Sequence, residues 1–183
     1  MMTETAARPN QSEYLPYYEK YVSMVPDGPI ITTLSNQIAE TLELLAGIPE
    51  SQAGFRYETD KWSIKELVGH VIDSERIFAY RALRFARDDK NALPGYEQDD
   101  YVRSAEYDSW PLKEIASELK SVRDSTIFLL KHLKANAWTR TGVANDAQVS
   151  VRALAYIIAG HELHHREVLQ TRYLQANAGG AGA

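Results

Sequence analysis

The sequence predicts an all-α protein with the architecture of a four-helix bundle. Apolar residues recur at helical spacing in four segments, and no segment alternates apolar and polar side chains as a half-buried strand would. No internal repeat is visible, and the 183 residues, 44% of them hydrophobic, suit one domain with its own core. Four amphipathic helices bury their apolar faces most simply against one another.

An N-terminal extension is predicted before the bundle. Residues 1–29 contain four prolines that interrupt any long helix, so we expect at most a short helix within residues 12–23. The first bundle helix is predicted to begin at Ile30 and to end at Ala46. Leucine and isoleucine recur at helical spacing through this segment, and Gly47 and a proline follow as stop signals.

The second helix has a complete start signal. Ser63 occupies the N-cap position, and Glu66, three residues later, completes a capping box. The apolar line of this helix continues to about Arg87. The connection that follows, residues 88–110, is long for a compact helical domain, and a crossover along the whole bundle would explain its length. The sequence therefore favours an up-down-down-up order.

The third helix is predicted to begin at Pro111, because proline suits the first position of a helix. Its apolar face continues to Leu133. Residues 139–148 are then expected to form a polar turn that leads into the fourth helix.

The fourth helix is predicted to begin at Val149 or Ser150 and to continue to about residue 175. The bundle therefore comprises residues 30–175. Residues 176–183 consist mainly of glycine and alanine, and we expect them to be a flexible tail.

Composition excludes several classes of function. The chain has a formal net charge of −5 and no basic run, so a nucleic-acid partner is not expected. It contains no cysteine, which excludes disulfides, iron–sulfur clusters and cysteine nucleophiles. No stretch reaches the roughly 20 apolar residues of a membrane span, and the N-terminus lacks a secretory signal. We expect a cytoplasmic protein without a membrane partner.

Two of the five histidines are predicted to lie together on the interior side of the fourth helix, and a third lies where it can reach a pocket shared with the next helix. At about 100° per residue, His161 and His165 fall within roughly 20° of the interior line that Leu154 marks on the fourth helix. His70 falls on the flank of the apolar line of the second helix. A single interior histidine is more often a buried polar residue that hydrogen-bonds to a neighbouring carbonyl or hydroxyl group than a metal ligand. Two stacked histidines are costly to bury in that way, and their spacing suits one metal ion.

The pentad at residues 161–165 also fits H-E-x-x-H, the helix signature of zinc proteases, in which Glu162 would be the general base. Such enzymes usually have a further ligand downstream. Here the only downstream carboxylate, Glu167, faces away from the histidine side, and no strand is predicted that would hold a peptide. Glu162 is instead expected on the flank of the helix, where it would help hold a water.

Two segments together resemble the DinB/YfiT-like superfamily of four-helix metalloproteins. They are KWSIKELVGHVIDSE at residues 61–75 and GHELHH at residues 160–165, and the resemblance extends over about residues 30–175. It implies that His70, His161 and His165 bind one divalent metal ion and leave coordination positions open. Members of this superfamily include bacillithiol S-transferases and mycothiol-dependent isomerases.

The resemblance and the histidine pattern together favour a metal-dependent enzyme with a small-molecule substrate. Three neutral imidazoles would leave the charge of the ion intact, so that a water or a low-molecular-weight thiol cosubstrate is acidified. Thiol S-transfer and hydrolysis are the expected reaction types. Histidine ligands do not distinguish zinc, nickel and iron. Glu162 and His164 are the candidate catalytic residues. The alternative is a non-catalytic metal-binding bundle that serves a structural or interaction role.

Two further features of the helices bear on substrate binding and on oligomeric state. Arg81 on the second helix is a candidate for holding a substrate carboxylate, although an arginine in this position is more often paired with a carboxylate of the bundle. The fourth helix has a second apolar line, opposite the histidines, that includes Tyr156 and Leu163. Either the tyrosine-rich N-terminal segment or a second subunit covers this line. We expect a homodimer.

Overall fold

The structure is a computed structural model that describes residues 7–175. Four long helices form the bundle, and two short helices and one hairpin accompany them. In chain order the elements are α1 (Glu19–Val22), α2 (Ile30–Ala46), α3 (Ile64–Ala86), α4 (Gln98–Ala105), α5 (Leu112–Lys131), β1 (Thr141–Ala144), β2 (Ala147–Ser150) and α6 (Val151–Val168). Helix α6 continues as a π-helical stretch, Leu169–Leu174. The predicted tail, residues 176–183, lies outside the described residues.

The end of α2 meets the beginnings of both α3 and α5. The carboxylate of Glu50, just beyond α2, lies 2.6 Å from Nζ of Lys65 at the start of α3. Its second oxygen accepts a hydrogen bond of 2.9 Å from the backbone N–H of Leu112, the first residue of α5. Helices α3 and α5 therefore begin at the same end of the bundle, and both run opposite to α2.

Helix α6 runs parallel to α2. The side chain of Gln37 donates a hydrogen bond to the carbonyl of Ala159, and about one turn further along both helices Thr41 donates to Glu162. The pairing thus advances in the same direction on both helices. The order is up-down-down-up, which confirms the predicted bundle and its topology. Among residues 7–175 no helix is both long and apolar enough to cross a membrane.

The crossover between α3 and α5 is more structured than the sequence indicated. Because α3 and α5 are parallel, the chain has to return along the bundle, and on the way it forms α4, which packs against α3. Leu93 also pairs with β1, since its N–H donates to the carbonyl of Val143. The sequence did not predict α4, because an eight-residue segment with one buried residue, Val102, shows no clear apolar face.

Residues 139–148 are more than the polar turn that was expected. They contain most of the hairpin of β1 and β2, which extends to Ser150. Thr141 pairs with Ser150 and Ala144 with Ala147. The two turn residues, Asn145 and Asp146, have φ values of 52° and 60°, as a tight two-residue turn requires. Each strand has only four residues, too few to show a clear alternation of polar and apolar side chains.

The N-terminal segment packs against the bundle. Its short helix α1 lies within the segment where a short helix was expected, and it contacts α6. Tyr156 of α6 is 3% exposed, and the guanidinium of Arg8 lies 5.4 Å from the centroid of its ring. The second apolar line of this helix is thus covered from within the chain. The observation that favoured a homodimer has this other explanation, and the homodimer stays a prediction.

A buried ion network links all four bundle helices. Arg123 of α5 is fully buried, and its Nε and Nη2 donate to the two carboxylate oxygens of Glu75 on α3, both at 2.8 Å. Its Nη1 lies 2.7 Å from Glu162 on α6 and donates to the carbonyl of Leu34 on α2. Burial opposes the charge of Arg123, but the two carboxylates outweigh that effect and raise its pKa. We call Glu75, Arg123 and Glu162 the ion triad.

We predict that Arg123→Met strongly destabilises the fold, because it leaves two buried carboxylates without their partner. Removing one member of a buried ion pair costs about 3–5 kcal/mol. The free energy of unfolding, measured by urea denaturation, is expected to fall by this amount. The matched control is Arg103→Met, which removes an exposed arginine from its pair with Asp100 and is expected to leave the transition almost unchanged. Equal transitions for the two variants would contradict the prediction.

Candidate metal centre

Two helices of the bundle bring three histidine rings together. Helix α3 supplies His70, and α6 supplies His161 and His165, one turn apart. The Nε2 atom of His161 lies 3.1 Å from Nε2 of His70 and 3.1 Å from Nε2 of His165. One nitrogen from each ring lies within 4.8 Å of the other two. We call these three residues the histidine triad. They are the three histidines that the sequence predicts to share a site.

Local structure fixes where these rings point. The predicted capping box is present, since Ser63 Oγ accepts from the N–H of Glu66 and Glu66 accepts from the N–H of Ser63. This cap sets the start of α3 about two turns before His70. Ser150 caps α6 in the same way, because its hydroxyl accepts from the N–H of Ala153. The register of both helices is thus set by hydrogen bonds outside the site.

The three imidazoles are held in the neutral form. Burial lowers the pKa of His70 to about 4, well below its usual value of 6.5. Burial also lowers the pKa of His161 and of His165, and the charge of the neighbouring rings lowers both further. At neutral pH the triad therefore offers nitrogen lone pairs and carries no charge of its own, which is the state in which histidine binds metals.

The contacts of the triad suit a metal site better than a hydrogen-bond cluster. The Nε2 atom of a neutral imidazole is either one donor or one acceptor, so that of His161 cannot hydrogen-bond well to both of its neighbours. One of the two contacts is then a shared hydrogen bond, or it sets two lone pairs or two N–H groups against each other, whereas a cation would accept a lone pair from each of the three rings. In addition, the buried Nδ1 of His165 has no hydrogen-bond partner in residues 7–175, and a strong bond at Nε2 would offset the cost of burying that ring. The donor set fits a divalent transition-metal ion.

Aromatic rings and two glycines enclose the triad. Trp62 lies 4.6 Å from the ring of His70, and Tyr21 lies 5.2 Å from that of His161, centroid to centroid. Each helix has a glycine just before its first triad histidine. A Cβ on Gly69 would lie 2.1 Å from the ring of Tyr107, and one on Gly160 would lie 2.0 Å from the carbonyl oxygen of Tyr21. The absence of a side chain at these glycines lets the surrounding segments approach closely.

Two cavities reach the histidine triad from different sides. The first, of about 270 Å³, reaches His161 and is lined mainly by residues of the N-terminal segment and the crossover, which include four tyrosines. The second, of about 360 Å³, reaches His164 and His165 and is lined by residues such as Trp62. Asp99 of α4 lines both cavities. The open sides of the triad therefore connect to space that a small molecule can enter.

The two candidate catalytic residues have different surroundings. His164 is half-buried beside the second cavity, and its ring lies 5.4 Å from that of Tyr21. Burial lowers the pKa of His164, as does the charge of Lys20. Glu162, by contrast, is bound within the ion triad and accepts a hydrogen bond of 2.6 Å from Thr41. These contacts do not favour the role of a zinc-protease base for Glu162.

The family model of the DinB superfamily matches residues 33–169. The chain belongs to the DinB superfamily. Two bacterial relatives carry the name "Putative metal-dependent hydrolase". The one from Halalkalibacterium halodurans is 24% identical over 142 residues, which cover 76% of this chain and 80% of the relative. The one from Oceanobacillus iheyensis is 23% identical over 137 residues, which cover 74% of this chain and 76% of the relative.

Two solved structures share the fold. YfiT from Bacillus subtilis, described as a probable metal-dependent hydrolase with an unusual four-helix bundle topology, matches with a TM-score of 0.68 and 15% identity over 94% of each chain. A mycothiol-dependent maleylpyruvate isomerase matches with a TM-score of 0.63 and 11% identity, over 79% of this chain and 61% of that one. At these identities the matches establish the bundle architecture.

Several residues around the site were not predicted from the sequence. Tyr96 and Asp99 lie in the crossover, where no pattern indicated that they would reach the histidines. Arg123 had a detectable signal, since it lies four residues after Leu119 on the apolar face of α5, and a charged residue in such a place is typical of a buried pair. Ser74 and Glu75, about one turn after His70 on α3, contact Tyr96 and Arg123.

We predict that Gly160→Ala destabilises the protein, although glycine-to-alanine in a helix normally stabilises it. The added methyl group would lie 2.0 Å from the backbone of Tyr21, so α1 has to move away. The free energy of unfolding is expected to fall by at least about 1 kcal/mol, and amide hydrogens of α1 to exchange faster. Gly54→Ala is the control, because no atom lies within 4 Å of its added Cβ. A Gly160→Ala variant as stable as the wild type would contradict this prediction.

Proposed function

We propose that the protein binds one divalent transition-metal ion through His70, His161 and His165 and uses it to catalyse a reaction of a small-molecule substrate. The observation that carries this proposal is the convergence of three neutral Nε2 atoms, within 4.8 Å of one another, where two cavities meet the bundle. Two relatives named as metal-dependent hydrolases support hydrolysis as the first reaction type.

A bound ion would supply Lewis acidity, which lowers the pKa of a water or a thiol that binds at an open coordination position. The residues of the chain supply the surroundings in which this is effective. Trp62 and Tyr21 cover the rings of His70 and His161 and keep bulk water away from them. The ion triad fixes α3 and α6 relative to each other, because Arg123 binds both helices.

We propose His164 as the proton acceptor of the reaction. Its pKa is lowered, so it is neutral at pH 7, and it lines the second cavity beside His165. Its ring lies 5.0 Å from that of His165, close to the metal ligands without being a member of the triad. For Glu162 we propose a positioning role, because both of its carboxylate oxygens already contact Thr41 and Arg123.

Thiol-dependent transfer is the second candidate reaction, and the presence of two cavities favours it. A transfer reaction needs room for two molecules, the thiol and its acceptor, and separate cavities of about 270 and 360 Å³ reach different histidines of the triad. The isomerase of the same fold is described as mycothiol-dependent. The chain has no cysteine, so the thiol has to be a cosubstrate. A purely structural ion is less well supported, because structural metal sites are closed.

We expect about one equivalent of a transition metal per chain in wild-type protein purified without chelator. Replacing any of His70, His161 and His165 by glutamine is expected to weaken metal binding by at least about tenfold, because one of three ligands is lost. Metal content by elemental analysis and metal titration of stripped protein measure this. His132→Gln, at the exposed end of α5, is the control. Metal retention in all three triad variants would refute the site.

Activity assays then separate the two reactions and the non-catalytic alternative. Hydrolysis of a panel of small esters and amides is compared with conjugation of several low-molecular-weight thiols to a reactive halide, in metal-loaded and stripped protein. We expect turnover in one panel that disappears with the metal and falls at least about tenfold in His164→Gln. Metal binding without metal-dependent turnover in either panel would contradict a catalytic role and support the alternative of a non-catalytic metal-binding bundle.

A further inference from the structure

Arg81 is a buried cation without an anionic partner. It lies on α3, and only 4% of the residue is exposed. Its Nη2 donates one hydrogen bond of 2.8 Å to the carbonyl of Pro94 in the crossover. Within residues 7–175 no carboxylate lies at ion-pair distance from it, in contrast to Arg123 on the neighbouring helix. An arginine in this position is more often paired with a carboxylate of the bundle, but among the described residues Arg81 has no such pair.

The unpaired charge faces the first cavity. Arg81 lines that cavity together with His161 and with the aromatic rings of Tyr18, Phe78 and Tyr96. A buried charge without a counter-ion is unfavourable, and proteins normally pair or coordinate such charges. The guanidinium has a planar array of donors that matches a carboxylate in two-point contact, and only one of its nitrogens is bound to Pro94. We therefore expect the counter-ion of Arg81 to be a ligand that enters the first cavity.

Two phenols complete a donor set around the guanidinium. Burial raises the pKa of Tyr18 and that of Tyr96, so both hydroxyls keep their protons and can donate to an anion. The hydroxyl of Tyr96 is positioned by Ser74, whose Oγ lies 2.8 Å away and is itself buried. The cavity thus combines one cation and two neutral donors with apolar ring faces.

The guanidinium and the histidine triad are close enough for one small molecule to reach both. The Cζ atom of Arg81 lies 5.9 Å from the centroid of the Phe78 ring, and the ring of His161 lies 6.0 Å from the same centroid. The Cζ atom of Arg81 and the centroid of the His161 ring are therefore no farther apart than the sum of these two distances. The volume of about 270 Å³ exceeds the roughly 150 Å³ of an apolar cavity that takes up benzene.

We propose that the first cavity binds a small carboxylate with an apolar or aromatic body, the carboxylate on Arg81 and the remainder directed toward the metal ligands. This inference rests on the proposed function, in that the bound molecule would be a substrate of the metal site. A singly charged carboxylate fits better than a phosphate, because Arg81 is the one cation that lines the cavity within the described residues. Glu97 and Asp99, exposed at its rim, disfavour a second negative charge.

The test uses benzoate as the probe and metal-free protein, so that binding cannot come from a carboxylate on the metal. Isothermal titration calorimetry is expected to detect benzoate binding to the wild type, and Arg81→Gln is expected to weaken it at least about tenfold, as expected for loss of a charged hydrogen-bond partner. Benzyl alcohol, the neutral analogue, and inorganic phosphate are expected to bind at least tenfold more weakly than benzoate.

Two further variants keep the proposal falsifiable if Arg81→Gln fails to fold. Tyr96→Phe removes one donor but no charge, and is expected to weaken benzoate binding several-fold while the protein remains folded. Arg81→Lys keeps the charge without the planar fork and is expected to lose most of the affinity. Arg103→Gln, on the exposed face of α4, is the control and is expected to bind benzoate as the wild type does.

The outcomes separate this proposal from the metal site. His165→Gln, which changes a triad residue outside the lining of the first cavity, is expected to lose metal and still bind benzoate, whereas Arg81→Gln is expected to keep the metal and lose benzoate. Equal affinities of the wild type and Arg81→Gln for benzoate would overturn the proposal, as would benzyl alcohol or phosphate binding as tightly as benzoate. The metal content of the triad variants neither supports nor contradicts the proposed carboxylate site.

Discussion

The arrangement of this bundle depends on a single guanidinium. Arg123 projects from α5 into the centre, where its nitrogens contact the other three bundle helices, through Glu75, Glu162 and the carbonyl of Leu34. Apolar packing alone permits helices to slide or rotate by small amounts, whereas the charge-assisted hydrogen bonds of 2.8 Å to Glu75 and the ion contact of 2.7 Å to Glu162 have narrow geometric tolerance. Glu162 directly follows His161 in the chain, so the same contacts that order the bundle also set the rotation of α6 and therefore the direction of the histidine rings.

The electrostatics of the centre are consistent with this arrangement. Formally, the ion triad contains two carboxylates and one guanidinium, which leaves an excess of one negative charge beside three uncharged imidazoles. A divalent cation at the histidines would meet a neutral set of ligands and a negative region one residue further along α6, and both stabilise it. The charges of the ion triad thus complement the ion that the nitrogen geometry favours, although they lie outside its coordination sphere.

The sequence predicted the parts of the molecule that depend on local periodicity. The four helices, the capping box at Ser63 and the convergence of His161 with His165 all follow from spacing along one helix. The hairpin and α4 were missed, because four or eight residues carry too little pattern. The contacts of Arg81 and Glu162 were not predictable either, since they depend on which residue of another segment lies opposite, and a pattern along one helix contains no information about that. The walls of the cavities come from a crossover and an N-terminal segment whose paths are fixed only in the folded chain.

The placement of Tyr17, Tyr18 and Tyr21 has a consequence for how such proteins diversify. These side chains form one wall of the first cavity, yet they precede residue 33, where the match to the superfamily begins. The histidines and the ion triad lie within the shared region. Two relatives can therefore have the same histidines and the same interior while a different N-terminal segment changes the shape of the cavity beside the histidines. Comparison of the bundle helices alone would not reveal such a difference.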